Sequence, residues 1–456
     1  MSIDLLFILL PVVLLLVLLL FQVPVAISLG ASGVVGILLQ GDFGKTTSTL
    51  AAIPYSNTAV FTLTLIPMFI LMGLLVSHAG LLTGIFDVAE RLTRRLPGGL
   101  AVATVGACTF FGGISGSSVA DAATIGRLSI GEMSRRRYDV AYSAAVVAAS
   151  GTLAILIPPS IVLVLYGILT GESIGAMLLA GLIPGFLTAL VYVVIVVIQA
   201  LRHEDRGGAA FRDRKLLDGA SIRPLSDLRT RIFGVVTGLV LFAVVVGGLY
   251  SGVFTATEAG GVGALTALIL TILFFVTGRQ PGRFSAGANA ISQSLREAGS
   301  LTAMVFALLI GGGLFSYFLV LARVPNNVSA FIVESGVPPV LVVILLLLVL
   351  LPLGMIIDGL SMLLIITPIA YPIVTELGYD GIWFGILLVK MIEIGLLTPP
   401  VGLNVFVVSG LHPELRVEKV FRRVAIFVVA ELAIVALLFI FPTIITFLPT
   451  LAAGNQ

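Results

Sequence analysis

The chain has 456 residues, 59% of them hydrophobic and 11% charged, with a formal net charge of +2. Soluble domains carry roughly 25% charged residues, so this composition excludes a soluble enzyme or a nucleic-acid-binding domain and requires an all-α polytopic membrane protein. The single cysteine, Cys108, excludes an internal disulfide and a thiolate metal cluster.

Two closely spaced apolar helices are predicted near Ile3–Phe21 and Pro24–Leu39. The first has no basic region before it and no small-residue cleavage site after it, so it reads as a retained span and not a removed signal peptide. A polar link with Asp42 and Lys45 follows, then a third helix from about Ala59 to Val76. Leu82–Leu96 is amphipathic, with Arg91, Arg94 and Arg95 near its end, and reads as an interfacial helix on the cytoplasmic surface.

The interval 97–131 lies between those arginines and Arg135, Arg136 and Arg137. Basic flanks face the cytoplasm, so the chain should enter and leave on one side. Two crossings need roughly 40 apolar residues. About 35 are present, and their middle is Gly112-Gly-Ile-Ser-Gly-Ser-Ser-Val-Ala-Asp121. These features predict a re-entrant helical hairpin, its tip irregular backbone that membrane depth tolerates only when it is buried in protein or lines a cavity. A helix over 140–170, broken at Pro158-Pro159, then crosses outward, and a helix over 177–201 returns. The segment 202–231 holds eight Lys/Arg and five Asp/Glu and reads as a cytoplasmic connector.

The second half is predicted to cross at Ile232–Leu249 and Gly260–Val276. A short amphipathic stretch, Ser285–Glu297, and an outward helix, Leu301–Leu321, come next. The interval 337–380 has Glu334, Glu376 and Asp380 near its ends, no basic residue inside, and a centre broken by Gly354, Asp358 and Gly359. It reads as a second re-entrant hairpin, opening from the periplasm. A helix over 382–411, broken at Pro399-Pro400, and a last helix over 425–447 complete the chain. The plan is an inverted-topology repeat: scaffold helices and arm (1–96), first transport repeat (97–201), connector, second scaffold helices and arm (232–336), second transport repeat (337–447). Both termini fall in the periplasm. Such repeats place substrate and coupling-ion sites near the midplane on discontinuous helices.

A Pro-Pro pair removes amide donors and pushes carbonyls out of the helical ladder. Carbonyls near Leu156/Ile157 and Leu397/Thr398 are therefore hard oxygen donors for a small cation, with Ser160 beside the first break and Thr398 and Asn404 beside the second. Ser115, Ser117 and Ser118 at the first tip, and Ser361 with Thr367 near the second, could complete two oxygen cages. The tips also offer helix N-termini, whose N–H groups and positive dipole end favour an anion. Gly113, Ser115, Gly116, Gly359 and Thr367 are the candidates for a bound carboxylate. Other readings stand beside these. Small residues also serve as packing surfaces between membrane helices, Asp121 and Asp358 suit helix caps, and Glu258 suits a dipole-compensating cap. Lys390 and Glu393, three apart, are either functional charges or an internal ion pair. Arg127 either snorkels to the cytoplasmic surface or lies near an anionic substrate. His78 and His412 fall at helix ends and suggest no chemistry.

The stretch Gly112–Gly126, with Ile157-Pro-Pro-Ser160 and Gly395-Leu-Leu-Thr-Pro-Pro-Val-Gly-Leu-Asn404, resembles the large membrane subunit of TRAP (tripartite ATP-independent periplasmic) transporters, over essentially the whole chain. The resemblance implies a Na+-coupled symporter of the ion transporter superfamily, with a transport domain that moves past a static scaffold like an elevator. It implies Na+ sites on Ser115, Ser117, Ser118, Asp121, Ile157, Pro158, Ser160, Asp358, Ser361, Thr398, Pro399 and Asn404. It implies no cofactor other than Na+ as coupling ion, and a bacterial inner-membrane location. The implied partners are a small four-helix membrane subunit, expected as a separate chain, and a periplasmic solute-binding protein that delivers an organic acid. The lack of a G-x-x-x-x-G-K-[ST] loop agrees with ion-gradient drive. The rival readings are a stand-alone ion-coupled dicarboxylate permease or antiporter of the same superfamily, a channel, and an intramembrane enzyme. Against the enzyme stands the lack of a His pair, H-E-x-x-H or G-x-S-x-G in the spans.

Overall fold

The computed structural model describes residues 3–41, 43–206, 227–278, 283–413 and 415–453. All regular structure among the described residues is helical, as expected where lipid leaves every backbone polar group to be satisfied within the chain. Among the described residues, seven helices are long and apolar enough to cross a membrane, or eight if one bent pair counts as a span.

The N-terminal part contains α1 (Ile3–Leu20), α2 (Val25–Gln40), α3 (Phe43–Thr58), α4 (Leu65–His78) and α5 (Leu81–Thr93). Where the sequence suggests a polar link there is a helix, α3; Asp42 and the Lys45 side chain lie outside the described residues. Its hydroxyls turn back onto the helix, Thr47 Oγ1 donating to Phe43 O at 3.0 Å and Thr58 Oγ1 to Pro54 O at 2.5 Å, so a polar sequence remains helical. α5 matches the expected amphipathic helix and buries Leu81, Leu82, Ile85 and Phe86.

The first hairpin is α6 (Gly99–Ser115) and α7 (Ser118–Arg135). Next come the broken pair α8 (Val140–Leu156) and α9 (Ile161–Thr170), bent by 40°, and α10 (Ile174–Arg202). Most of the connector predicted at 202–231 lies outside the described residues. α11 (Leu228–Tyr250) and α12 (Ala256–Val276) follow. α12 opens with a capping box in which Thr255 and Glu258 satisfy each other's backbone N–H, the cap role read for Glu258.

Two boundaries differ from the sequence reading. Ser285–Glu297 and Leu301–Leu321 belong to one helix, α13 (Arg283–Leu321); no proline interrupts it, and its 39 residues span about 58 Å at 1.5 Å per residue. It stops at Arg323, whose φ of 53° is left-handed. α14 (Val324–Ser335) then precedes the second hairpin as α5 precedes the first. That hairpin is α15 (Pro339–Gly354) and α16 (Gly359–Glu376), followed by the broken pair α17 (Gly381–Leu397) and α18 (Leu403–Ser409). The single helix expected at 425–447 is two, α19 (Val417–Ile440) and α20 (Thr443–Ala453), because Pro442 holds the residue before it out of the helical region.

Close backbone contacts hold the helices together. Gly30, Gly33 and Gly36 on α2 face α13, and a Cβ on Gly33 would stand 2.6 Å from the Leu314 carbonyl carbon. Between membrane helices this small-residue seam replaces hydrophobic driving force with close packing. At the centre, α8 and α17 are buried on nearly every side, so their sequences read as apolar all round with no stripe.

Candidate functional site

The first tip is set by local backbone rules. α6 ends at Gly116, left-handed with φ 62°, whose N–H donates to Gly112 O at 3.0 Å; glycine enters this helix stop without steric cost. Ser117 then caps α7, its Oγ accepting from the Ala120 N–H at 3.4 Å. The cap is Ser117 and not Asp121, which lies buried in the first turn. A Cβ on Gly116 would stand 3.0 Å from Pro159 O, so the tip sits directly on the first break. Pro159 has no N–H to give Ile155 O, and the Ser160 hydroxyl supplies the donor while accepting from the Leu163 N–H at 3.3 Å. One freed carbonyl of the first break is thereby taken.

The second tip uses a carboxylate. Asp358 Oδ1 accepts from the N–H groups of Leu360 and Ser361 at 3.1 Å each, and Oδ2 accepts from Ser361 Oγ at 2.5 Å. Here the capping reading holds. Gly354 at the end of α15 packs on Gly395 of α17, where a Cβ would come within 2.5 Å of the Gly354 carbonyl carbon. At the break, Thr398 Oγ1 donates to Ile394 O at 2.6 Å and Gly402 is left-handed with φ 53°. Asn404 reaches from α18 to α8, Nδ2 donating to Ala148 O at 3.2 Å. Its Oδ1 is buried with no hydrogen-bond partner among the described residues. The Pro158-Pro159 and Pro399-Pro400 bonds are cis.

The two tips face one cavity of about 540 Å³. One wall carries Gly116, Ser117, Ser118 and Thr124 from the first tip, Asp358 and Gly359 from the second, and Ile155, Ile161, Leu396 and Leu403 from beside the breaks. The other wall is Ile70, Gly73 and Ser77 of α4 with Glu297, Leu301 and Met304 of α13. At the rim, His78 Nε2 and Glu297 Oε2 lie 2.8 Å apart, joining α4 to α13. The volume suits a small organic ligand. Among the described residues, the charged side chains lining the cavity are Glu297 and Asp358, both acidic; positive potential there comes from the N-terminal ends of α7 and α16.

Residues 12–444 match the family described as "Tripartite ATP-independent periplasmic transporter, DctM component". The chain belongs to that family. It is a large permease component and not an enzyme, as its relatives are permeases. It is 35% identical over 387 residues to the C4-dicarboxylate TRAP transporter large permease protein DctM of Pseudomonas aeruginosa, covering 84% of this chain and 85% of that one. It is 31% identical to the sialic acid TRAP transporter large permease protein SiaM of Vibrio cholerae, covering 86% and 87%. It is also 31% identical to the isethionate TRAP transporter permease protein DctMQ of Oleidesulfovibrio alaskensis, covering 92% of this chain and 63% of that longer protein. The fold matches the crystal structure of the Alcanivorax borkumensis YdaH transporter, with a TM-score of 0.64 at 15% identity over 94% of this chain and 97% of that one.

In this TRAP permease the cavity gathers five of the sequence-predicted residues: Gly116, Ser117, Ser118, Asp358 and Gly359. Asp121, Ile157, Pro158, Ser160, Ser361, Thr367 and Asn404 are buried and outside its lining, Thr398 is half-buried and Pro399 is exposed. Of Gly113 and Ser115 only the helical backbone is described. Thr367 Oγ1, like Asn404 Oδ1, is a buried oxygen with no hydrogen-bond partner among the described residues. Arg127 is exposed and lies away from the cavity lining. The sequence reading missed Thr124, Ser77 and Glu297. Thr124 could have been found, since it lies one helical turn beyond Ala120 on the face of the tip. Ser77 and Glu297 belong to the opposite wall and carry no local signal.

Proposed function

We propose that this chain is the large permease subunit of a Na+-coupled TRAP uptake system for an organic acid, and that the cavity between the tips is where the acid binds. The observation that carries the reading is the convergence of both broken tips, with residues flanking both proline breaks, on one cavity with acidic side-chain charge. An anion entering such a site finds two helix N-termini in its favour and two carboxylates against it, so a cation must accompany it. The buried oxygens Asn404 Oδ1 and Thr367 Oγ1, together with carbonyls the prolines release, are hard donors suited to Na+. The substrates in the relatives' names, C4-dicarboxylates, sialic acid and isethionate, are all organic anions.

On this reading α6–α7 and α15–α16 are re-entrant hairpins entering from opposite sides of a bacterial inner membrane, with both termini periplasmic. The hairpins and broken helices form a transport domain that moves as an elevator against a scaffold containing α4 and α13. A small four-helix membrane subunit supports the scaffold, and a periplasmic binding protein delivers the acid. Reconstitution with those two partners in proteoliposomes tests this. Uptake should require both an inward Na+ gradient and the binding protein. Uptake driven equally by K+ would refute the Na+ coupling, and uptake without the binding protein would establish a stand-alone permease.

A further inference from the structure

The half-helix α17, which runs into the second proline break, carries charges where a membrane protein keeps them only for function or with compensation. Lys390 and Glu393 on α17 and Glu431 on α19 are all fully buried. Lys390 Nζ donates to Glu393 Oε2 at 2.6 Å and to Thr188 Oγ1 of α10 at 3.1 Å, and pairs with Glu431 Oε2. Tyr192 of α10 donates its hydroxyl hydrogen to Glu431 Oε1 at 2.5 Å, and Thr152 of α8 hydrogen-bonds to that tyrosine. Among the described residues, these are the charged and hydroxyl groups facing the cluster from α8, α10, α17 and α19.

The charges do not balance. One ammonium beside two ionised carboxylates leaves a net negative charge among fully buried side chains, and an uncompensated buried ion is strongly unfavourable. Of the three N–H donors of an ammonium, two are taken by Glu393 and Thr188, and Glu431 is held by the ion pair. The two carboxylates are not equivalent. Glu431 Oε1 accepts from Tyr192, and its Oε2, though it makes no hydrogen bond, lies in an ion pair with the Lys390 ammonium. Glu393 Oε1 is buried with no partner among the described residues, and an oxygen without a donor is far less costly in a neutral acid than in a carboxylate.

We propose that Glu393 is a proton-binding site: at neutral pH it holds a proton, so that the Lys390 cation and the Glu431 anion balance and the cluster is neutral. Alkalinisation removes the proton to water and leaves one net negative charge on α17. That helix is the seat of the second tip. Ile392, next to Glu393, lies under Gly359, and Gly395 lies against Gly354. Proton occupancy therefore acts on the helix that supports the hairpin, and the inference stands whether or not transport is Na+-coupled.

Infrared spectra of the purified protein in lipid, titrated from neutral to alkaline pH with isotopically labelled glutamate, test this without any transport assay. The wild type should show a protonated glutamic-acid carbonyl stretch at neutral pH that disappears on alkalinisation and is missing from Glu393→Gln. Lys390→Met, which removes the cation, should add a second carboxylic-acid stretch, because both glutamates then hold protons. This variant also serves if Glu393→Gln fails to fold. The proposal is overturned if the wild type has no such stretch, if Glu393→Gln leaves it unchanged, if it is lost in Glu431→Gln instead, or if Lys390→Met adds none.

Discussion

The two proline breaks share one motif and have different surroundings. Pro158, Pro159 and Ser160 are buried, whereas Pro399, Pro400 and Val401 are exposed. At the first break α10 presses backbone against backbone: a Cβ on Gly181 would lie 2.3 Å from Leu156 O, and Gly185 lies against Ile157. At the second break, Phe421 of α19 lies beside Gly402, and Val401 borders a further cavity of about 340 Å³ shared with Gln22 of the α1–α2 turn and with Asp358. Local chain chemistry makes a break, while the helices packed around it decide whether it is a sealed floor or an accessible face. The first break is the sealed floor, and the second is the exposed face.

The largest effects should fall where the tips sit on their helices, and should be alike in the two halves. A Cβ on Gly112 would come within 2.6 Å of Ala154 Cα, and one on Gly395 within 2.5 Å of the Gly354 carbonyl carbon. Backbone cannot yield as a side chain can, so Gly112→Val and Gly395→Val should each destabilise by about 3 kcal/mol, read as a fall in the thermal unfolding midpoint. The breaks themselves should then separate. Ser160→Ala strips a buried carbonyl of its donor and a helix of its cap, for a loss of about 2 kcal/mol. Thr398→Ala removes a half-buried hydroxyl and should cost under about 1 kcal/mol. Equal losses in denaturant titrations would erase the distinction between floor and face.

Much of this was legible in the sequence because it is imposed within a few residues. Gly116 must take a left-handed turn, and Pro159 and Pro400 cannot donate, whatever packs around them. The hydroxyls that close the gaps, Ser117, Ser160 and Thr398, sit within the same stretch. What was not legible depends on distant partners. Nothing near Lys390 announces Glu431 or Tyr192, which arrive from α19 and α10, and nothing near the tips announces Ser77 or Glu297. The helix over 43–58 was missed because hydroxyl-rich sequence reads as loop until the hydroxyls are seen to bond backward. The continuity of α13 was missed because a change from amphipathic to apolar composition looks like a boundary and yet breaks no hydrogen bond.

Smaller effects sharpen the comparison at the accessible break. Asn404→Ala removes the buried amide oxygen and should raise the Na+ concentration for half-maximal uptake about tenfold, equivalent to about 1.4 kcal/mol, while the protein stays folded. An unchanged Na+ dependence would remove Asn404 from the ion's surroundings. His78→Ala breaks the exposed pair at the cavity rim and should cost about 0.5 kcal/mol or less, with uptake altered less than about twofold. A larger loss of uptake at unchanged stability would make the rim pair part of the gate.

Substrate protection inside the cavity tests the anion site between the two tips. Ala120, exposed on its lining, would be changed to cysteine in a Cys108→Ala background and its thiol-labelling rate followed in proteoliposomes. The transported organic acid should slow labelling when Na+ is present and have no effect when K+ replaces it. Labelling that is indifferent to the acid, or slowed equally in K+, would contradict a Na+-coupled anion site between the two tips.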